Sequence, residues 1–76
     1  MHVKDSELRK KFGRRLRYLR RDRDLTQEQL AELVDLSINS ISELERGITS
    51  PYFETLVKLA KALNVDVGEL FKFDER

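Results

Sequence analysis

The chain has 76 residues, no cysteine, and 15 Lys/Arg against 14 Asp/Glu, a formal net charge of +1. That length predicts one small domain, 1–76, whose core buries only ~60% of the unfolded chain's surface; without cysteine, disulfide staples and thiolate metal sites are excluded, and a reducing compartment fits. No apolar run approaches a membrane span and no signal-peptide core opens the chain, so a soluble cytoplasmic protein without membrane contact is expected.

The charge is unevenly spread. Residues 1–23 hold ten Lys/Arg (Lys4, Arg9, Lys10, Lys11, Arg14, Arg15, Arg17, Arg20, Arg21 and Arg23) against Asp5, Glu7 and Asp22, a local +7; residues 24–76 hold five basic against eleven acidic residues, a local −6. A basic end of this density points to a polyanion partner, with a solvated helix face as the alternative.

Apolar residues recur at helical spacing throughout, and no run has the alternation or β-branched content of a strand, which predicts an all-α fold. A first helix over about 6–23 has Leu8, Phe12, Leu16 and Leu19 as its apolar stripe, with basic residues around the rest of its circumference. Gly13 within it is unfavourable by ~1 kcal/mol, which implies close approach by a neighbouring helix. The second helix opens with Thr26 as N-cap and Gln29 three residues on, a capping box, with Leu25 able to staple onto Leu30. It runs through Ala31, Leu33 and Val34 to about Asp35. A third helix follows Ser37, another N-cap type, buries Ile41 and Leu44, and ends at Gly47, where a left-handed C-cap is expected. After the loop ITSPY comes a fourth helix over 53–63, with Leu56, Leu59, Ala60 and Leu63 inward and Asn64 as its stop. Asp66 and Glu69 form an Asp-x-x-Glu box opening a short fifth helix over 67–71, and the tail KFDER is expected to fray.

Within this bundle, residues of about 26–47 stand out. Leu30, Ala31, Val34, Leu36, Ile41 and Leu44 are apolar across two helices with a tight turn near 35–37, and the small Ala31 lies where the second helix must cross closely. This is the pattern of a helix-turn-helix, whose second helix can lie in the DNA major groove; an ordinary αα-hairpin is the alternative. The wider string LTQEQLA, IS-x-L-ERG, a following proline, TL-x-KLAKAL and V-x-x-x-ELF, preceded by RRLRYLRRDRDLTQ, resembles the Xre-type helix-turn-helix family, which includes the lambdoid phage repressors, Cro and the controller proteins of restriction–modification systems. The resemblance covers about residues 8–73. It implies a five-helix lambda-repressor-like domain, bacterial or phage origin and a nucleoid-associated protein. Asp35 stands where the family commonly has Gly in the turn, a position that Asp tolerates better than most residues.

With Ile41 and Leu44 turned inward at 100° per residue, Asn39, Ser42, Glu43 and Arg46 point outward, and Ile38 sits at the exposed leading edge. Asn can pair with adenine N6/N7, Ser with several bases and Glu with cytosine N4, while Ile38 can lie against a thymine methyl; simple solvation is the alternative for the polar three. The helix is poor in cations because attraction can come from elsewhere: Gln27 and the start of the second helix, Arg20, Arg21 and Arg23 at the end of the first, and Arg46 beyond the third are candidate phosphate contacts. The resemblance implies base reading from the positions of Ile38, Asn39 and Glu43, a phosphate contact from Gln27, and a salt bridge between Arg20 and Glu45 that fixes the reading helix's orientation.

Catalysis finds little support: the one histidine is His2, and no nucleophile arrangement, phosphate-binding glycine loop or metal-ligand spacing occurs. No cofactor, metal or small-molecule effector is expected. The reading is a homodimeric transcriptional regulator on double-stranded DNA, dimerising through Val67, Leu70, Phe71 and Phe73 unless these simply close the core. Its rivals are a helix-turn-helix module that grips a protein partner, antitoxin-like or coactivator-like, and the DNA-binding fragment of a longer regulator.

Overall fold

The computed structural model describes residues 4–73. Among them the chain forms α1 (Asp5–Asp22), α2 (Gln27–Leu33), α3 (Ile38–Glu45), α4 (Phe53–Leu63) and a 3-10 helix, Val67–Phe71. The all-α expectation holds, with four α-helices and a closing 3-10 turn in place of five α-helices. His2 and residues 74–76 of the expected frayed tail lie outside the described residues.

Local chemistry sets where the helices start. Thr26 Oγ1 accepts from Gln29 N at 3.0 Å while Gln29 Oε1 accepts from Thr26 N at 2.8 Å, the reciprocal capping box at the head of α2. Ser37 Oγ accepts from Ser40 N at 3.0 Å and caps α3. The expected Asp66/Glu69 box does not form. Asp66 makes no side-chain cap; instead Arg15 Nε donates to Glu69 O at 2.8 Å and Arg15 Nη2 to Glu69 Oε1 at 3.2 Å. A charge-assisted pair with a neighbouring helix outcompetes a neutral backbone donor for that carboxylate.

All four α-helices end in the same way. The left-handed residue is Asp24 after α1 (φ 57°), Asp35 after α2 (58°), Gly47 after α3 (74°) and Asn64 after α4 (57°). Beyond each, the next N–H reaches back five positions, Leu25 to Arg20 O, Leu36 to Ala31 O, Ile48 to Glu43 O and Val65 to Ala60 O, at 2.9–3.1 Å. These bonds satisfy carbonyls that a helix end would otherwise leave unpaired, and the apolar residue that follows turns back to the bundle; Leu25, Leu36 and Val65 pack on the core.

The core is formed by Phe12, Leu16 and Leu19 of α1, Leu30, Ala31 and Val34 around α2, Ile41 and Leu44 of α3, Leu56, Leu59, Ala60 and Leu63 of α4, and Leu70. Leu8 is not among them: it is 39% exposed, on the first turn of α1, where residues 5–8 are all exposed. Gly13 explains how α1 crosses α3. A Cβ built there would sit 2.4 Å from Glu45 O and 2.6 Å from Leu44 O, so only a glycine lets the α1 backbone lie against the end of α3.

Part of the basic face of α1 is turned to structural use. Arg9 Nε donates to Gly47 O (3.2 Å), Arg15 Nε to Glu69 O (2.8 Å), Arg20 Nη1 to Leu25 O (2.8 Å) and Arg23 Nε to Leu63 O (2.5 Å). Two of these carbonyls, Gly47 just past α3 and Leu63 at the end of α4, lie at helix carboxyl ends, where the backbone dipole is negative. The first helix thus clamps the ends of the elements packed around it.

Candidate nucleic-acid interface

Between α2 and α3 the chain turns through Asp35, the left-handed residue that ends α2, and the cap at Ser37 starts α3 immediately afterwards. Ala31, Val34 and Ile41 are all buried at the crossing, which fixes the two helices as one unit. Within α3, Ile41, Leu44 and Glu45 face inward. The other side is open: Ile38 is 48% exposed, Asn39 and Arg46 are exposed, and Ser42 and Glu43 are partly exposed. Arg46 Nε donates to Ser42 Oγ at 3.2 Å, so its guanidinium lies back along this outward face. The residues named as base contacts therefore share one accessible surface.

Behind that surface is a buried charge cluster. Glu45's carboxylate accepts from Arg20 Nε at 2.6 Å and Arg20 Nη2 at 3.0 Å, and from Gln27 Nε2 at 3.0 Å. Arg17 Nε lies 3.5 Å from the same carboxylate. Burial by itself pushes Glu45's carboxyl up, but hydrogen bonds from Arg20 and Gln27 and the charges of Arg20 and Arg17 together hold it below the usual carboxylate range. The cluster ties α1, the head of α2 and the last residue of α3 together.

This cluster corrects the phosphate candidates. Arg20 is only 7% exposed, and each of its three side-chain nitrogens bonds Glu45 or Leu25 O, so it is committed to the cluster first. Arg23 bonds Leu63 O at the carboxyl end of α4 and Leu19 O, which ties part of its guanidinium to the fold while its side chain stays 30% exposed. Arg21 is exposed and Gln27 half-buried. Arg17, which the sequence reading passed over, has a side chain 38% exposed beside Gln27's partner carboxylate. Its spacing of three from Arg20 was the available signal, because residues three apart share a helix face.

The candidate dimer residues divide. Leu70 is fully buried and belongs to the core, so it is withdrawn from the interface. Phe71 is 37% and Val67 39% exposed. The Phe71 ring packs 5.3 Å from Phe12 and 6.2 Å from Phe73, centroid to centroid, and Phe73 is partly covered by the core. Among the described residues no group of three or more His, Cys, Asp or Glu is placed to hold a metal, and no helix is long and apolar enough to cross a membrane.

The sequence profile of the helix-turn-helix family matches residues 16–70, well over half the chain and all of the unit just described. The chain belongs to this family. Among helix-turn-helix proteins it is similar to the cryptic phage CTXphi transcriptional repressor RstR of Vibrio cholerae, at 39% identity over 64 residues, covering 84% of this chain and 58% of that one. In structure it is similar to the restriction–modification controller protein C.AhdI from Aeromonas hydrophila, with a TM-score of 0.81 and 41% identity over 83% of this chain and 96% of that one. It is also similar to the P22 c2 repressor solved with a synthetic operator, with a TM-score of 0.76 and 36% identity over 83% of this chain and 96% of that one. The chain spans about half the length of the curated relatives it matches. Xre-type membership, expected from the motif string, holds.

Proposed function

We propose that this chain binds double-stranded DNA sequence-specifically as a transcriptional regulator, with α3 in the major groove and two copies on a two-fold operator. The observation that carries the reading is the sidedness of α3. Ile41, Leu44 and Glu45 anchor it from behind, and an outward face of small and polar groups remains. Asn39 reads adenine N6/N7, Glu43 accepts from cytosine N4, Ser42 adds an adaptable hydroxyl, and Ile38 lies on a thymine methyl. Arg21, Arg46 and Gln27 contact phosphates, which position the helix without reading sequence. The repressor and controller-protein names of the relatives, and the operator bound to one of them, support this reading. Occupying a site near a promoter represses or activates according to position.

One helix-turn-helix reads few base pairs, so a dimer on half-sites about one turn (~34 Å) apart supplies the specificity. Val67 and Phe71 are the exposed apolar residues assigned to that contact. Selection from a random duplex pool tests the reading: an enriched two-fold motif is expected, and no enrichment refutes it. Sedimentation of Val67→Ser and Phe71→Ser tests the contact: a shift towards monomer is expected, and a lowered melting temperature with association unchanged would return the residue to the core. A second reading, a module that grips a protein, is favoured by Tyr52 and Phe53, which are 75% and 87% exposed at the head of α4. A chain that enriches no duplex leaves that reading standing.

A further inference from the structure

Side chains from two helices converge on the Glu45 carboxylate without balancing its charge. The Glu45 side chain is 0% exposed, with Arg20 Nε at 2.6 Å and Arg17 Nε at 3.5 Å. One carboxylate and two guanidiniums leave one positive charge in excess. Arg20, with a side chain 8% exposed, is sealed into the cluster, whereas Arg17, at 38%, is its outer cation. Gln27 Nε2 bonds the same Glu45 Oε1 at 3.0 Å that Arg17 approaches at 3.5 Å, so the two nitrogens lie no more than 6.5 Å apart, the sum of those distances. The Gln27 amide carries two N–H groups, and Glu45 takes one of them.

Resting on the DNA-binding reading above, we infer that Arg17 and Gln27 together hold one backbone phosphate, with Glu45 as the residue that positions both. The phosphodiester neutralises the excess charge of the cluster and accepts hydrogen bonds from the outer N–H groups of Arg17 and the second N–H of Gln27. Charge-assisted bonds of this kind are the stronger class. Because Glu45 is the last residue of α3, the clamped phosphate has a fixed place relative to the reading helix. Arg17 thereby contributes to register as well as to attraction.

The test moves a single neutral methylphosphonate along one strand of the selected operator. Binding is measured for wild type, Arg17→Gln, Arg17→Lys and Gln27→Ala. One position is expected at which the neutral linkage weakens wild type and Arg17→Lys severalfold but weakens Arg17→Gln and Gln27→Ala less, since each keeps only one of the two donors. Arg17→Gln also flattens the log–log salt dependence by about one unit per protomer, uniformly across sequences, while Arg17→Lys keeps it. Without DNA, Arg17→Gln melts close to wild type, since Arg20 still holds Glu45. A residue that only braced Glu45 would instead lower the melting temperature and leave the methylphosphonate pattern intact. The clamp is overturned if Arg17→Gln keeps the wild-type salt slope, or if Arg17→Gln and Gln27→Ala lose sensitivity at different phosphates. A wild type that binds no duplex overturns the DNA-binding reading itself; a silent Arg17 on a DNA-binding wild type overturns only the clamp.

Discussion

The carboxylate of Glu45 is held ionised inside the protein by Arg20 and Gln27 at 2.6–3.0 Å. Removing one partner of such a pair leaves the other buried and uncompensated, at about 3–5 kcal/mol. Arg20→Met and Glu45→Gln are each expected to lower the melting temperature sharply, and the double change Arg20→Met/Glu45→Met to recover much of the loss; calorimetry of the three checks this. The lowered carboxyl makes the pair pH-dependent in a definite direction. Its contribution is fully present above the ordinary glutamate value, about 4.3, and is lost as pH falls through the lower value of the folded state. Acid titration of wild type should therefore show a component absent from Arg20→Met/Glu45→Met. On the outward face the roles separate by substitution. Asn39→Ala is expected to weaken operator binding by ~1–3 kcal/mol per half-site with little change in non-specific binding. Glu43→Gln is expected to raise non-specific binding and relax the preference at its cytosine, and Arg46→Ala to weaken all sequences alike. Competition gel shifts distinguish the three patterns; equal loss of specific and non-specific affinity in Asn39→Ala would mean that it reads no base.

The elements are aligned by backbone as much as by side chains. Gly13 permits α1 to lie on the carbonyls of Leu44 and Glu45. Alanine is ordinarily better than glycine within a helix by ~1 kcal/mol, yet Gly13→Ala is expected to destabilise here, because the added methyl meets backbone that cannot turn aside. It should also reduce operator affinity by displacing the end of α3. Thermal melts and titrations of one protein check both, and a raised melting temperature would refute the close crossing. The turn between α2 and α3 gives the opposite expectation. Asp35 sits at φ 58°, a conformation costly to side chains with a Cβ and free for glycine. Asp35→Gly should raise stability by a few tenths of a kcal/mol, and Asp35→Ala should lower it by ~1 kcal/mol. A similar melting temperature for both would show that the left-handed strain is negligible.

Charge at the scale of the molecule is misleading when counted from the chain. Arg9, Arg15, Arg20 and Arg23 of the basic first third donate to backbone carbonyls within the fold. Of the other cations, Arg17, Arg21 and Arg46 are the ones assigned to phosphates. At ~0.9 per neutralised phosphate, three contacts in each of two protomers give a log–log salt slope near −5, where five per protomer would give about −9. Anisotropy titrations from low to physiological salt measure it. A slope of −9 would return Arg20 and Arg23 to the interface, and a flat response would remove DNA as the partner.

What the chain determines locally could be read locally. The caps at Thr26 and Ser37, the left-handed Gly47 and the stop at Asn64 depend on residues a few positions apart, so their chemistry is contained in the string itself. The inward faces of α3 and α4 followed equally from helical period. Gly13 disclosed that something approaches, though not that the ends of two carbonyl-bearing residues do. Tertiary structure alone decided the rest. Whether a carboxylate such as Glu69 caps its own helix or pairs with Arg15 is a competition between a neighbour in sequence and a cation from another helix. Whether Leu70 forms an interface or a core depends on what α1 and α4 leave uncovered. Which arginines are free for phosphate depends on where every helix end lands against α1. Periodicity gives a residue's direction about its own axis, but the partners it meets there are fixed only once separate helices are packed together.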